Sequence, residues 1–268
     1  MSDEKLKTIA KELRILIIEM LSEASSGHPG GSLSTVDIMT VLWFHEMRRP
    51  NGDRFILSKG HAAPALYAAL AKCGLINIEE IKTLRKLNSR LQGHPDRVRL
   101  PIVEASTGSL GQGLSVAQGI AMGTKMSGEK SRIYCVIGDG ESQEGQIWET
   151  AMSAPKFKLS NLCVILDYNK GQIDGHVADV MPIEPVIEKW RAFGWHTIEI
   201  DGHDIRQIRE AFGEARELQE KCSIKPVFIL ANTVKGKGVP FMENKIEWHG
   251  VAPTPEQARE AIAAIKGT

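Results

Sequence analysis

Two strand-like runs stand near the middle of the chain, at residues 132–137 and 162–166, apolar throughout but for the leading Arg132. Neither alternates with polar positions, so each predicts a strand buried on both faces, as in a parallel sheet covered by helices. Around them the apolar spacing changes to a helical period. Residues 3–24 carry a stripe of Leu6, Ile9, Leu13, Leu16, Ile17 and Met20 that predicts one long amphipathic helix. Further helices are predicted at 34–47, 62–73, 79–90, 108–126, 144–157, 183–193, 205–221 and 254–265, the one at 108–126 opening on a glycine turn. Shorter strands are predicted at 55–57, 196–200 and 226–231, and residues 25–32 and 91–100 read as loops. Strand and helix alternate without a repeat, linker or shift in composition. The expectation is one α/β domain over residues 1–268, a mostly parallel central sheet with helices on both faces.

Composition narrows the possibilities. The 268 residues can bury a large core, and their 42% hydrophobic content is ordinary for a globular chain. Lys and Arg number 33, as do Asp and Glu, so bulk charge draws the protein neither to nucleic acid nor to an anionic membrane. Cys73, Cys135, Cys163 and Cys222 are far apart and include no Cys-x-x-Cys pair. Cys135 and Cys163 lie in predicted strands and read as small buried hydrophobes. No disulfide framework is indicated, and a reducing cytoplasm is expected. The polar N-terminus is unlike a signal peptide, and the run from Leu13 to Leu21 is too short and charged to span a bilayer.

The candidate chemistry sits where the two long strands end. The first breaks into Gly138-Asp139-Gly140-Glu141-Ser142-Gln143-Glu144-Gly145, the second into Asp167-Tyr168-Asn169-Lys170-Gly171. Joined by one helix, they place Asp139 and Asn169 together at the carboxyl edge of a parallel sheet, where open α/β sheets bind ligands. A carboxylate, an amide and a nearby backbone carbonyl suit a hard divalent cation that keeps phosphate oxygens in its shell. Glycines flanking Asp139 remove the Cβ that would hold a phosphate away from the backbone. Either segment alone is an ordinary turn; the pairing points to a Mg²⁺-bound diphosphate. Two rival phosphate motifs fail. Gly108-Ser109-Leu110-Gly111-Gln112-Gly113 has the wrong glycine order for a dinucleotide loop, and Gly236-Lys237-Gly238 lacks the rest of a Walker loop.

At this spacing, with Glu144 and Glu149 on the intervening helix, the two segments resemble the thiamine-diphosphate motif. The stretch from Gly138 to Glu149 is similar to that of the transketolase family, and the resemblance extends over almost the whole chain. It implies the thiamine-diphosphate-binding fold, with thiamine diphosphate and Mg²⁺ (or Ca²⁺ or Mn²⁺ in its place) as cofactors. The metal would be held by Asp139, Asn169 and the Gly171 carbonyl, with Gly138 and Gly140 beside the diphosphate. Residues matching 107–113 line the cofactor site in transketolases, which implies contacts from Gly108, Ser109 and Leu110. Lys235 matches a lysine that approaches the phosphate in animal-type transketolases; some bacterial members differ there.

The histidines follow the same resemblance. A loop histidine is ordinarily a solvated residue, yet His28, His61, His94 and His249 each lie beside glycine in a segment similar to a transketolase active-site motif. The resemblance implies that they converge over the cofactor, His61 and His249 touching it, and that neutral imidazoles bind sugar hydroxyls and carry protons. His45, His176, His196 and His203 lack such context and read as structural. The matched region ends before the family's pyrimidine-binding and C-terminal domains, whose glutamate activates the cofactor and whose arginines grip sugar phosphates. The ends of the chain read as those of a complete subunit. The expectation is therefore the diphosphate-binding subunit of a two-chain transketolase, paired as α2β2 with a C-terminal subunit carrying the pyrimidine-binding domain. Glu144, counted also among the cofactor-binding residues, and Glu149 would lie at that contact, or be plain solvated carboxylates. Sugar phosphates would be the substrates. Alternatives are the equivalent subunit of a deoxyxylulose-phosphate synthase-like enzyme or of an unusual-sugar transketolase, and a non-catalytic paralogue.

Overall fold

Alternate side chains of the buried strands point into two separate apolar layers, and the helices sort accordingly. The computed structural model describes residues 1–48, 52–221 and 224–267. Strands β1 (Arg54–Leu57), β2 (Ile133–Gly138) and β3 (Leu162–Tyr168) are followed by a two-residue-per-strand hairpin, β4 (Gly171–Gln172) and β5 (Gly175–His176), then β6 (His196–Asp201) and β7 (Val227–Asn232). The main sheet has the order β1-β2-β3-β7-β6, and every neighbouring pair is parallel. The expected α/β fold is observed.

One layer holds Leu57, Tyr134, Val136, Ile165 and Ile229 against α1 (Asp3–Ala24), α3 (Val36–Val41), α4 (Ala63–Lys72), α9 (Ile205–Glu220) and α10 (Pro255–Gly267). The other holds Ile56, Cys135, Ile137, Val164 and Phe228 against α5 (Gln112–Met126), α6 (Gly145–Lys156) and α8 (Val186–Ala192). Cys135 and Cys163 are buried within strands, as expected, whereas Cys222 lies outside the described residues. At the amino ends of the strands a buried ionic cluster closes the sheet. Arg132 donates to Glu46 at 2.8 Å, and the Arg132 backbone N–H donates to Asp53 at 3.0 Å. No helix among the described residues is long and apolar enough to cross a membrane.

Three expectations need correction. The loop expected at 25–32 contains the start of a short helix, α2 (Pro29–Ser34), with Pro29 in the first turn, where its missing N–H costs nothing. Its glycines answer to tertiary crowding rather than to a turn. A Cβ on Gly30 would stand 2.9 Å from the Trp248 carbonyl. The helix expected at 34–47 is consequently split at Thr35, and it ends in a wider turn over Leu42–Glu46. The helix expected at 79–90 is only a short, tight 3-10 helix, Ile78–Thr83, after which Arg85 adopts φ +59° and its N–H donates to Leu91 O. A left-handed residue ends the helix and sends the chain toward the histidine loop. The helix α7 (Val177–Val180) and the β4–β5 hairpin were not anticipated, being too short to leave a periodic signal.

Trp190 and Trp195 are the largest fully buried side chains of their layer, Trp190 stacked 4.1 Å from Phe228 and edge-on 4.8 Å from Trp195. Trp190→Ala should cost about 3–5 kcal/mol in urea unfolding, through lost burial and the cavity left behind. Because its indole N–H has no hydrogen-bond partner among the described residues, Trp190→Phe should cost distinctly less. Equal losses for the two would mean that the site collapses around either change.

Candidate active site

Because the sheet is parallel, the chain leaves β1, β2, β3 and β7 on the same edge. Lys59, Asp139, Asn169 and Lys235 follow those strands within a few residues, and all four line one cavity of about 370 Å³.

Asp139 is 3% exposed. The Gly140 N–H donates to one of its oxygens at 2.8 Å and the Lys170 N–H to the other. No cationic side chain pairs with it among the described residues. Burial, and then the charge of Asp167, push its pKa up to about 6. Asn169 is held on both sides of its amide: Nδ2 donates to Ser34 Oγ at 3.3 Å, and Oδ1 accepts from the Gly171 N–H at 3.1 Å. The Gly171 carbonyl accepts from Lys235 Nζ at 3.0 Å.

Two buried ammonium groups face this edge in different company. Lys59, 1% exposed, pairs with the fully buried Asp167 and donates to the Gly31 carbonyl at 2.9 Å. Ser34 and Thr233 hydroxyls donate to the same carboxylate. Burial alone would raise the Asp167 pKa, but the Lys59 charge and these hydrogen bonds overcome it and hold the carboxyl below its ordinary value. Lys235, also 1% exposed, has no carboxylate partner among the described residues. Its Nζ lies 3.1 Å from His249 Nδ1, and burial followed by the Lys59 charge lowers its pKa to about 8. Glu141 ties three loops together beneath the cavity. Its carboxylate accepts from Ser58 Oγ, from the Gly111 N–H at 2.9 Å and from the Gly138 N–H at 3.0 Å.

Four histidines stand together over this floor. His28 is at their centre, with ring centroids 5.5, 6.0 and 5.8 Å from those of His61, His94 and His249. His61 and His249 are stacked at 5.1 Å. Burial, then the Arg85 charge, brings the His28 pKa down to about 4; burial, then Lys235, brings His249 down to about 3. Burial likewise lowers His61 and His94. The group is neutral at pH 7. Gly108, at φ +140°, lets the next loop pass under His94, where a Cβ would stand 2.9 Å from the imidazole.

Of the residues singled out in the sequence, His61, His94, Gly108, Leu110, Gly138, Asp139, Gly140, Glu144, Asn169, Gly171, Lys235 and His249 all line the cavity. His28 is set back from its wall, and Ser109 is exposed, its carbonyl accepting from the Gln112 N–H at 3.4 Å. Glu144 and Glu149 are both exposed on α6 and its preceding residue. Sequence reasoning missed Lys59, Asp167 and Glu141. The available signal was a charged residue at or just beyond the end of a buried apolar run.

Among the described residues no three His, Cys, Asp or Glu side chains cluster as a metal cage. A cation here would rest on one carboxylate, one amide and one carbonyl, and would take its remaining ligands from elsewhere. That is the habit of Mg²⁺ bound to a phosphorylated ligand. An unpaired buried carboxylate and an unpaired buried ammonium in one cavity fit a metal–diphosphate pair, and Leu110 and Ile173 offer apolar contact at its mouth.

Comparison with known proteins agrees. Residues 5–266 match the family model described as transketolase, thiamine diphosphate binding domain. The chain is 44% identical to a 6-deoxy-6-sulfo-D-fructose transketolase subunit of a Clostridium strain, over 96% of this chain and 94% of that one. It is 38% identical to one of the subunits of the apulose-4-phosphate transketolase of Phocaeicola vulgatus, over 99% and 95%. Against human transketolase it is 42% identical over 97% of its own length but only 41% of the relative's. The crystal structure of Campylobacter jejuni transketolase superimposes with a TM-score of 0.91 at 34% identity, covering 99% of this chain and 43% of that one. The chain belongs to the transketolase family, as a thiamine diphosphate-binding domain.

Proposed function

We propose that this chain is the diphosphate-binding subunit of a two-chain transketolase, which moves a two-carbon ketol unit from a ketose phosphate to an aldose phosphate. The observation that carries the reading is the single cavity floored by the unpaired Asp139 and Lys235 and roofed by neutral histidines. Asp139, Asn169 and the Gly171 carbonyl would hold Mg²⁺. The Gly140 N–H and Lys235 would face the diphosphate, with Gly138, Gly108, Ser109 and Leu110 along the rest of the cofactor. When bound, thiamine diphosphate supplies the nucleophilic carbon that allows the bond beside a ketose carbonyl to break and re-form. The chain's own task is to bind, orient and move protons. A neutral imidazole both accepts and donates, so His28, His61, His94 and His249 can hold sugar hydroxyls and pass a proton between substrate and solvent. His94, the most exposed of the four, is assigned to the substrate side.

The whole sequence is read as one domain, with the pyrimidine-binding and C-terminal domains on a separate subunit in an α2β2 assembly. Support comes from the two relatives matched over nearly their full length, both named as transketolase subunits. Closed two-fold assembly is the commonest symmetry of soluble oligomers. The exposed Glu144 and Glu149 are assigned to that contact. Buried thiols in β2 and β3 accord with a reducing cytoplasm. The names of the same two relatives favour a second reading in which the sugar is unusual, such as 6-deoxy-6-sulfo-D-fructose or apulose 4-phosphate rather than xylulose 5-phosphate.

Assayed alone with xylulose 5-phosphate and ribose 5-phosphate, the chain should show no turnover, and mixing with a C-terminal partner subunit should restore it. Robust turnover by the chain alone would contradict the two-chain reading. Turnover only with 6-deoxy-6-sulfo-D-fructose or apulose 4-phosphate would favour the second.

Asp139→Asn should weaken Mg²⁺-dependent thiamine diphosphate binding by at least about 100-fold while the far-ultraviolet spectrum and unfolding midpoint hold, since the lost charge has no replacement near the metal. His94→Ala and His61→Ala should each lower turnover by about 10²-fold or more, the scale of a positioned proton carrier. Cofactor affinity should fall less than turnover for His94→Ala. Wild-type binding in the first variant, or wild-type turnover in the others, would remove those residues from the site.

The histidines also set a pH dependence. Their folded pKa values lie below the unfolded value of 6.5, so the unfolded chain takes up protons first as the pH falls. The stability carried by the neutral rings is complete above pH 6.5 and is lost as the pH drops toward 4. The raised pKa of Asp139 acts in the opposite sense, so the comparison must be between variants. Urea unfolding at pH 7.5 and 5.0 should show a smaller acid loss in His249→Asn than in the unsubstituted chain; equal losses would mean that His249 titrates normally.

A further inference from the structure

A line of buried side chains leads from α1 and α3 to the backbone beside Lys235. Arg14 Nη1 and Nη2 donate to the two oxygens of Asp37 at 3.1 and 2.5 Å. His203, on the turn between β6 and α9, has Nδ1 2.7 Å from Asp37 Oδ2. On the other side of that ring, the Val234 N–H donates to His203 Nε2 at 2.8 Å. An amide N–H can only donate, which fixes the imidazole: Nε2 is unprotonated, and the Nδ1–H points at Asp37. Arg14 and Asp37 are 7% and 6% exposed, so neither group of the pair is shared with solvent.

The same line grips the segment again beyond Lys235. Arg14 Nε donates to the Lys237 carbonyl at 3.2 Å. Gly238, at φ +90°, packs on that guanidinium so closely that a Cβ would lie 3.0 Å from Arg14 Cδ. Between the two anchors stands Lys235, whose ammonium reaches Gly171 and His249. A lysine stem has four rotatable bonds, so its buried ammonium is only as well placed as the backbone that carries it. Sequence reading set His203 aside as structural, since its neighbours Gly202 and Asp204 resemble any turn.

We propose that His203, oriented by Asp37 and Arg14, is a positioning residue that fixes the backbone at Val234 and thereby aims the Lys235 ammonium at the diphosphate of the bound cofactor. The inference rests on the reading of Lys235 as the cation facing that diphosphate. Losing the His203 acceptor leaves the Val234 N–H without its partner and frees the segment on the near side of Lys235.

The test uses the full chain and three substitutions. His203→Phe keeps the ring volume and removes both polar links, His203→Gln keeps an acceptor for Val234, and Lys235→Met removes the ammonium. Without cofactor, hydrogen exchange in the peptide covering 233–238 should rise at least about 10-fold in His203→Phe and return toward the unsubstituted rate in His203→Gln. Mg²⁺–thiamine diphosphate affinity is then titrated by calorimetry, on the chain alone or mixed with its partner subunit, whichever binds more tightly. His203→Phe should weaken binding about 10-fold, but less than about 2-fold when Lys235 is already Met, because the two act on one interaction. The same loss in both backgrounds would make His203 a general structural residue and overturn the proposal. So would unchanged exchange and binding in His203→Phe while Lys235→Met binds weakly. If Lys235→Met binds as tightly as the unsubstituted chain, the cofactor reading of Lys235 fails first, and the proposal with it.

Discussion

Lys59 and Asp167 meet beneath the cleft with almost no exposure, and the geometry of the site depends on that pair. Four separate parts of the chain converge there: the turn after β1, the end of β3, α2 through the Gly31 carbonyl and Ser34, and the turn after β7 through Thr233. Taking two charges out of water is expensive, and such a pair adds little net stability over a well-packed apolar contact. Breaking it by removing one partner is another matter, costing about 3–5 kcal/mol through the charge left behind. What the pair provides is register. It joins loops distant in sequence: Oδ2 of the central carboxylate takes Lys59 and Ser34, and Oδ1 takes Thr233.

That arrangement leaves two charges over. Asp139 takes hydrogen bonds from backbone alone and feels the negative charge of Asp167, while Lys235 feels the positive charge of Lys59. Each unpaired group is therefore the counterpart of one member of the structural pair. A carboxylate in need of a cation and an ammonium in need of an anion, in one cavity, suit the two ends of a metal–diphosphate complex. The same local positive charge adds to burial in keeping the histidines above them neutral, which is the form able to accept as well as donate a proton.

Much of this was legible in the sequence because parallel sheets constrain it. Apolar runs without alternation identified β2 and β3, and their shared edge brought Asp139 and Asn169 together before any coordinates. The four histidines were recognised through motifs, each beside a glycine. What escaped had no local signature. The glycines at 30 and 31 signal close approach by Trp248 and His61 rather than a loop, so α2 resembles irregular chain in the sequence. Arg85 ends its helix through a backbone conformation that no periodicity reports. Lys59, Asp167 and Glu141 are polar residues whose partners lie 28 to 133 positions away, or across a tight turn, and their roles emerge only once the strands are in register.

The most direct measurement is a crystal structure of the chain with its partner subunit, grown with thiamine diphosphate and Mn²⁺ and phased for the anomalous signal of the metal. The account predicts one strong peak about 2.1 Å from oxygens of Asp139, Asn169 and Gly171. It also predicts that Lys235 leaves the Gly171 carbonyl, where it lies at 3.0 Å, for a phosphate oxygen. A metal elsewhere, or a cofactor bound with Lys235 still on that carbonyl and Asp139 free of metal, would contradict it.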